Sequence, residues 1–338
     1  MAPRKKPLDQ QIIVITGATS GIGLAIAQEA AARRATIVLA ARSRDALDKV
    51  ADELRSKGCR VTAVVADVSD EAQVLAIAEH AVDVFGGFDT WINNAGVGVY
   101  GEIMDLPLDE HRRLFETNYW GVVHGSLAAV RYFEKREGGG TLINIGSINS
   151  DFAVPLLGAY TASKHAVKGF TDALRMELRH AGKPIQVTLV KPSGIGTPFS
   201  EHARAHTPRE PQVAPPVYAP EVVARAVLHA ATHPVRNLTV GGGGRVMAGA
   251  AQLAPAATER FFAWSMPKVQ QSHEARTPGD NLFHGRSEGR LYRKKGAGRR
   301  FSVYNTAVSR PLASAGLLAI AGGVGVLLAL GECRRPRD

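Results

Sequence analysis

The chain has 338 residues, 45% hydrophobic and 21% charged, which suits one large α/β domain with an appendage. Its two cysteines, Cys59 and Cys333, exclude a disulfide framework and a zinc site, and they point to a reducing compartment. The formal net charge of +10 is concentrated around residues 286–310 and in the tail, flanking an apolar segment, so it favours a membrane surface over nucleic acid.

Residues 4–6 are basic and lead into an apolar run at 12–15, then directly into a glycine motif; this is a first buried strand, not a signal peptide. From about 9 to 245, β-branched runs alternate with helical patterns. Strands are predicted at 12–15, 36–40, 61–66, 90–93, 141–145, 186–190 and 238–240, and helices at 24–33, 44–57, 108–133 and 160–180. Continuously apolar strands separated by helices predict a parallel sheet covered on both faces, the doubly wound Rossmann-type α/β arrangement. The proline-rich stretch 198–220 reads as a long surface excursion of the kind that covers a site. Residues 246–310 read as a helical and basic extension whose polar part, from 267, is a linker or a loosely packed extension.

Residues 311–331 carry no charged side chain. About 20 residues at 1.5 Å rise span a bilayer core of about 30 Å, so a single transmembrane helix is expected here, followed by a short basic tail at 332–338. Seven basic residues lie between 290 and 310, against three after the segment. That asymmetry places the catalytic domain on the cytoplasmic side. Small residues at 315, 319 and 323 share a helical face on which a second copy can pack.

Five groups of residues carry chemistry. After the first strand, Gly17, Thr19, Ser20, Gly21, Ile22 and Gly23 form a turn in which glycines admit a pyrophosphate to a helix N-terminus. After the second strand stands Arg42, with no carboxylate before Asp45. An acidic residue there suits the free ribose hydroxyls of NAD; an arginine suits the 2′-phosphate of NADP(H). Asp67 and Val68 end the third strand, where the carboxylate can accept from an adenine amino group. Asn93, Asn94, Ala95 and Gly96 make a tight turn after the fourth. Tyr160 and Lys164 share a helix face at i and i+4, and Ser147 ends a strand thirteen residues earlier. An ammonium beside a phenol is expected to lower the phenol pKa from about 10 towards the range of a general acid/base. Histidines such as His111, His165 and His180 lack ligand spacing, and no metal is expected.

In order and spacing, the glycine motif, Asp67, residues 93–96, Asn118, Ser147 and the Tyr160/Lys164 pair resemble the short-chain dehydrogenase/reductase family over about residues 9–245. The resemblance implies that Tyr160 exchanges a proton with a carbonyl or alcohol substrate and that Lys164 binds the nicotinamide ribose. It further implies that Ser147 orients the substrate oxygen, that Asn118 holds a relay water, that Asn94 and Gly96 flank the cofactor, and that Thr197 reaches the nicotinamide amide. One departure is Ser193, where the family usually has glycine after a proline. The resulting expectation is an NADP(H)-dependent oxidoreductase for an apolar or lipid-like substrate, with homo-oligomers expected by analogy. Its rivals are an NAD-linked alcohol dehydrogenase and a catalytically idle cofactor-binding scaffold at a membrane. The complete set of four catalytic residues argues against the scaffold, and the basic tail lacks the interleaved aromatics of a nucleic-acid binder.

Overall fold

The computed structural model describes residues 6–306, other than 277, 278, 288 and 303. The seven apolar runs become seven strands because each is rich in β-branched side chains; the inner ones are buried on both faces, whereas the edge run Val61–Val65 is only partly covered. In chain order the described elements are β1 (Ile12–Thr16), α1 (Gly21–Ala32), β2 (Thr36–Ala41), α2 (Arg44–Ser56), β3 (Val61–Val65), α3 (Glu71–Phe85), β4 (Thr90–Asn93) and β5 (Val99–Tyr100). Next come α4 (Leu108–Phe115), α5 (Gly121–Glu134), β6 (Gly140–Ile145), α6 (Gly158–His180), β7 (Ile185–Pro192), α7 (Phe199–His202), β8 (Arg204–Ala205) and β9 (Arg209–Pro211). The last are α8 (Pro220–Thr232), β10 (Asn237–Val240), α9 (Gly242–Leu253), α10 (Pro255–Val269) and β11 (Gln271–Ala275).

The main sheet is parallel, in the order β10-β7-β6-β4-β1-β2-β3. One face is covered by α1, α2 and α8, through Leu24, Ile26, Leu47, Leu54, Val223 and Val227. The other is covered by α3, α5 and α6, through Val74, Ile77, Phe133, Leu174 and Leu178. The chain runs outward from β1 to β3 and then returns to β4 on the other side of β1. The strand order therefore reverses between β1 and β4, and a crevice opens at their carboxyl ends.

Three regions differ from the sequence reading. The predicted helix 108–133 is broken by a π turn at Glu116–Trp120, which separates α4 from α5. The stretch 198–220 is not a plain loop: β8 pairs with β5, and β9 pairs with β11. The extension after 245 is packed onto the domain. The helices α9 and α10 border the cleft, and the polar residues after β11 cross it, because their backbone groups find partners on the catalytic domain. No helix among the described residues is long and apolar enough to cross a membrane, and the segment expected to do so, 311–331, lies outside them.

Candidate active site

The crevice holds a continuous cavity of about 300 Å³ that runs from Arg42 past the glycine turn to Tyr160. Its middle is set by close backbone approach. Gly17 has φ +65°, and a Cβ there would lie 2.7 Å from the Cα of Ala95. At Gly23 a Cβ would lie 2.1 Å from the carbonyl oxygen of Gly17, so α1 can start directly under the turn only if this residue has no side chain. Thr19, Ser20, Gly21 and Ile22 line the cavity at the N-terminus of α1, whose amides offer donors to an anion. A dinucleotide fits this cradle. The pyrophosphate would meet the first turn of α1, and the nicotinamide end would reach Tyr160 and Lys164.

Asn94, Ala95 and Gly96 line the opposite wall. The Asn94 side chain donates to the carbonyls of Thr16 (2.9 Å) and Gly17 (3.1 Å), so it clips the β4 turn to the glycine turn. Thr197 packs against Gly21, where an added Cβ would stand 3.0 Å from the Thr197 Cβ. Asp67 and Val68 line the adenosine end. The Asp67 carboxylate accepts from the Ser69 amide (3.0 Å), the Ser69 hydroxyl (2.8 Å) and Arg113. Burial opposes its charge, but these donors outweigh it and hold the carboxyl below the usual range. An adenine amino group would share a carboxylate that is already braced.

At the other end Ser147, Tyr160 and Lys164 converge. Ser147 caps a short helical turn, with its hydroxyl accepting from the Asn149 amide at 3.1 Å, and it also hydrogen-bonds with the Tyr160 phenol. Lys164 is buried and donates to the carbonyl of Ile145 at 3.0 Å, with its ammonium 5.7 Å from the centre of the Tyr160 ring. The phenol is not lowered as the i, i+4 spacing suggested. Burial pushes Tyr160 up to about 12, against the Ser147 hydrogen bond, and pushes Lys164 down to about 8. Desolvation wins here because both groups are buried and the ammonium points to a carbonyl instead of the phenol oxygen.

Asn118 lies behind this group, fully buried in the π turn. Its amide donates to Val97 O (3.0 Å) and Ser163 Oγ (3.2 Å), and its oxygen accepts from Val97 N (2.8 Å). One amide hydrogen goes to the loop after β4 and the other to α6, so the side chain ties that loop to the helix that carries Lys164.

A family model described as short chain dehydrogenase matches residues 11–208. The chain belongs to the short-chain dehydrogenase family. It is therefore an enzyme, an oxidoreductase that uses a nicotinamide cofactor and acts on CH–OH/C=O groups. This dehydrogenase is 39% identical over 340 residues to the uncharacterized oxidoreductase YxnA of Bacillus subtilis, a match that covers 97% of this chain and 93% of that one. Among solved structures it is similar to a short chain dehydrogenase/reductase of Burkholderia phymatum in complex with NAD (TM-score 0.66, 28% identity, 73% of this chain and 96% of that one). It is also similar to an alcohol dehydrogenase of Thermococcus sibiricus complexed with 5-hydroxy-NADP (TM-score 0.59, 27% identity, 68% and 95%).

The dehydrogenase has site residues that the sequence reading missed. Tyr100, on β5, is buried at the substrate end, and its phenol is pushed up by burial and by nearby Tyr160. Phe199 stacks at a tilt on Tyr160, with ring centres 5.3 Å apart, in space that Gly98 leaves free. Met247 and Met266, on α9 and α10, complete the wall. The one signal in the sequence was Gly98, since the aromatic it admits lies a hundred residues away. Ser193 explains its own departure from glycine. Its amide (2.9 Å) and hydroxyl (2.7 Å) both donate to Val240 O and so tie the end of β7 to β10.

Proposed function

We propose that this dehydrogenase is NADP(H)-dependent, interconverts an apolar, lipid-like carbonyl/alcohol pair, and is held at a membrane by residues 311–331 with its catalytic domain on the cytoplasmic side. The substrate reading rests on one observation: the cleft beside Tyr160 is walled largely by Phe152, Val154, Leu157, Phe199, Met247 and Met266, with Asn149, His202, Gln212 and Gln270 as polar breaks in the lining. Such a wall desolvates an aliphatic substrate and leaves the phenol and the Ser147 hydroxyl to fix its oxygen.

When bound, the nicotinamide supplies or accepts the hydride. The protein does the rest. Ser147 donates a hydrogen bond to the substrate oxygen and orients it towards Tyr160. The phenol, protonated at neutral pH, gives its proton to that oxygen in reduction. In oxidation the phenolate form takes the proton from the substrate hydroxyl. Lys164, held against Ile145 O, presents positive charge where ribose hydroxyls and the emerging phenolate need it.

The cofactor reading rests on Arg42 at the end of β2, with no carboxylate beside it before Asp45. Arg42→Asp is expected to reverse the preference, lowering kcat/KM with NADPH by about 100-fold and raising it with NADH. A parent enzyme that already favours NADH would sink the assignment. For the anchor, extraction of full-length protein from membranes by alkaline carbonate, compared with a chain ending at 308, is the test. Full-length protein that washes off is incompatible with a spanning helix.

A further inference from the structure

The runs 279–287 and 289–299, read from sequence as linker, are laid over the adenosine half of the cleft and tied down on both sides of it. Leu282 is fully buried among Val97, Val99, Leu106, Leu114 and Ala159. Asn281 N donates to His202 O at 2.9 Å, and Arg204 pairs with Asp280 at 2.9 Å. Farther on, Arg290 O accepts from the Gly21 amide at 3.0 Å, so the strap caps a donor at the start of the phosphate-binding helix. Beyond it Arg293 N donates to Gly196 O (3.2 Å) and Arg299 N to Val217 O (2.9 Å). Two glycines permit the approach. A Cβ on Gly285 would stand 3.0 Å from Arg42 Cβ and 3.2 Å from Ser43 N, and one on Gly289 would stand 3.3 Å from Thr19 O.

The crossing alters what Arg42 can do. Its guanidinium donates to the carbonyls of Leu282 (3.2 Å) and Asn281, and Arg113 donates to Leu282 O (3.2 Å) from the other side. Arg42 is thus fixed in place by the strap, with part of its donor set spent. The strap also brings a second guanidinium to this end of the cavity. Arg286 lines it together with Arg42, Ser43, Asn281 and Gly285, and its Nη1 donates to Gly279 O at 3.4 Å.

We propose that the strap is a cofactor clasp and that Arg286 on it is a specificity-determining residue, pairing with a phosphate on the adenosine ribose beside the strap-held Arg42. The proposal rests on the NADP(H) reading given above. Two guanidiniums at one end of a partly desolvated cleft suit a dianionic group and offer little to a bare hydroxyl. A charge-assisted bond of this kind corresponds to about a 10- to 100-fold difference in affinity.

The test is equilibrium binding of NADPH and NADH to the full chain without substrate, followed by nucleotide fluorescence, for the parent, Arg286→Ala and Arg286→Gln. The glutamine variant keeps much of the stem without the charge, and unfolding curves confirm that each variant is folded. The expected result is a loss of at least tenfold in NADPH affinity in both variants, with NADH changed by less than about twofold. Equal losses for the two nucleotides, or no loss for either, in a protein whose parent prefers NADPH, would overturn the role of Arg286 and leave that of Arg42 standing. A parent without any NADPH preference would overturn the underlying reading, and Arg286 with it.

Discussion

The two ends of the cleft are built differently. At the Tyr160 end the working groups are side chains on neighbouring elements of the sheet domain: Ser147 after β6, Tyr160 and Lys164 on α6, and Asn118 between α4 and α5. At the Arg42 end the walls come from β2 and β3 and from chain that returns some 240 residues later, since Arg42 reaches Leu282 at that separation. The reacting end needs fixed distances between atoms that exchange protons, and a packed core holds those distances. The adenosine end needs only recognition and closure, which a surface strap can supply. Changes at Ser147 and Tyr160 should therefore strike turnover, changes at the Arg42 end should strike nucleotide affinity and choice, and Lys164, which meets both substrate chemistry and cofactor, should affect both.

Replacing Tyr160 by Phe gives the largest effect. It removes the proton donor and very little volume, so kcat is expected to fall by about 1,000-fold or more, while the dissociation constant for NADPH stays within about twofold. Steady-state rates together with nucleotide titration check both halves. A variant that keeps a tenth of parental turnover, or one that loses cofactor affinity in proportion to rate, removes the division between the two ends.

The same division explains how much was legible. The seven strands were visible as β-branched runs because a doubly covered sheet requires apolar side chains on both faces. Tyr160, Lys164 and Ser147 were visible because proton transfer demands particular side chains at particular spacing. The strap was not. Asn281, Leu282 and Arg290 act through carbonyl oxygens, which every residue possesses, and the segment has no periodicity to mark it as ordered. Its only signals were Gly285 and Gly289 in an otherwise basic stretch, where the approach to Arg42 and Thr19 leaves tight room for a side chain. Short pairings such as β5 with β8 were hidden for a related reason: two residues are too few to show alternation. The expected lowering of the Tyr160 phenol failed because sequence spacing gives proximity but not burial, and burial dominates both groups.

Lys164 allows an intermediate effect that sharpens the contrast. Burial holds its ammonium near 8, so below that pH it is charged and above it increasingly neutral. Nucleotide affinity is expected to be near its full value at about pH 7, to be falling by pH 8 and to be several-fold weaker by pH 10, as the positive charge is lost. Tyr160, at about 12, stays protonated across that range and contributes nothing to the change. In Lys164→Met the profile should be flat and weaker throughout. A parent profile without the fall, or a methionine variant that retains it, assigns the titration to another group.

The smallest effect is expected at Ser193, which supports the catalytic end from below. Its hydroxyl and amide both donate to Val240 O, so deleting the hydroxyl leaves that carbonyl with one donor and orphans nothing. Ser193→Ala should therefore cost only about 0.5–1 kcal/mol, the low end for a lost hydrogen bond. Ser193→Gly, which restores the residue usual in the family, should cost more, by about 0.5–1 kcal/mol of backbone freedom. It also removes the Cβ that packs against the first turn of α9, where a Cβ added to Gly244 would stand 2.6 Å from it. The order parent, Ala, Gly in unfolding midpoint, with a spread of a few degrees, is the expected outcome. A glycine variant as stable as the parent would mean that the Ser193 hydroxyl bond and Cβ contribute nothing, and that the serine is there for a reason other than the bond it makes.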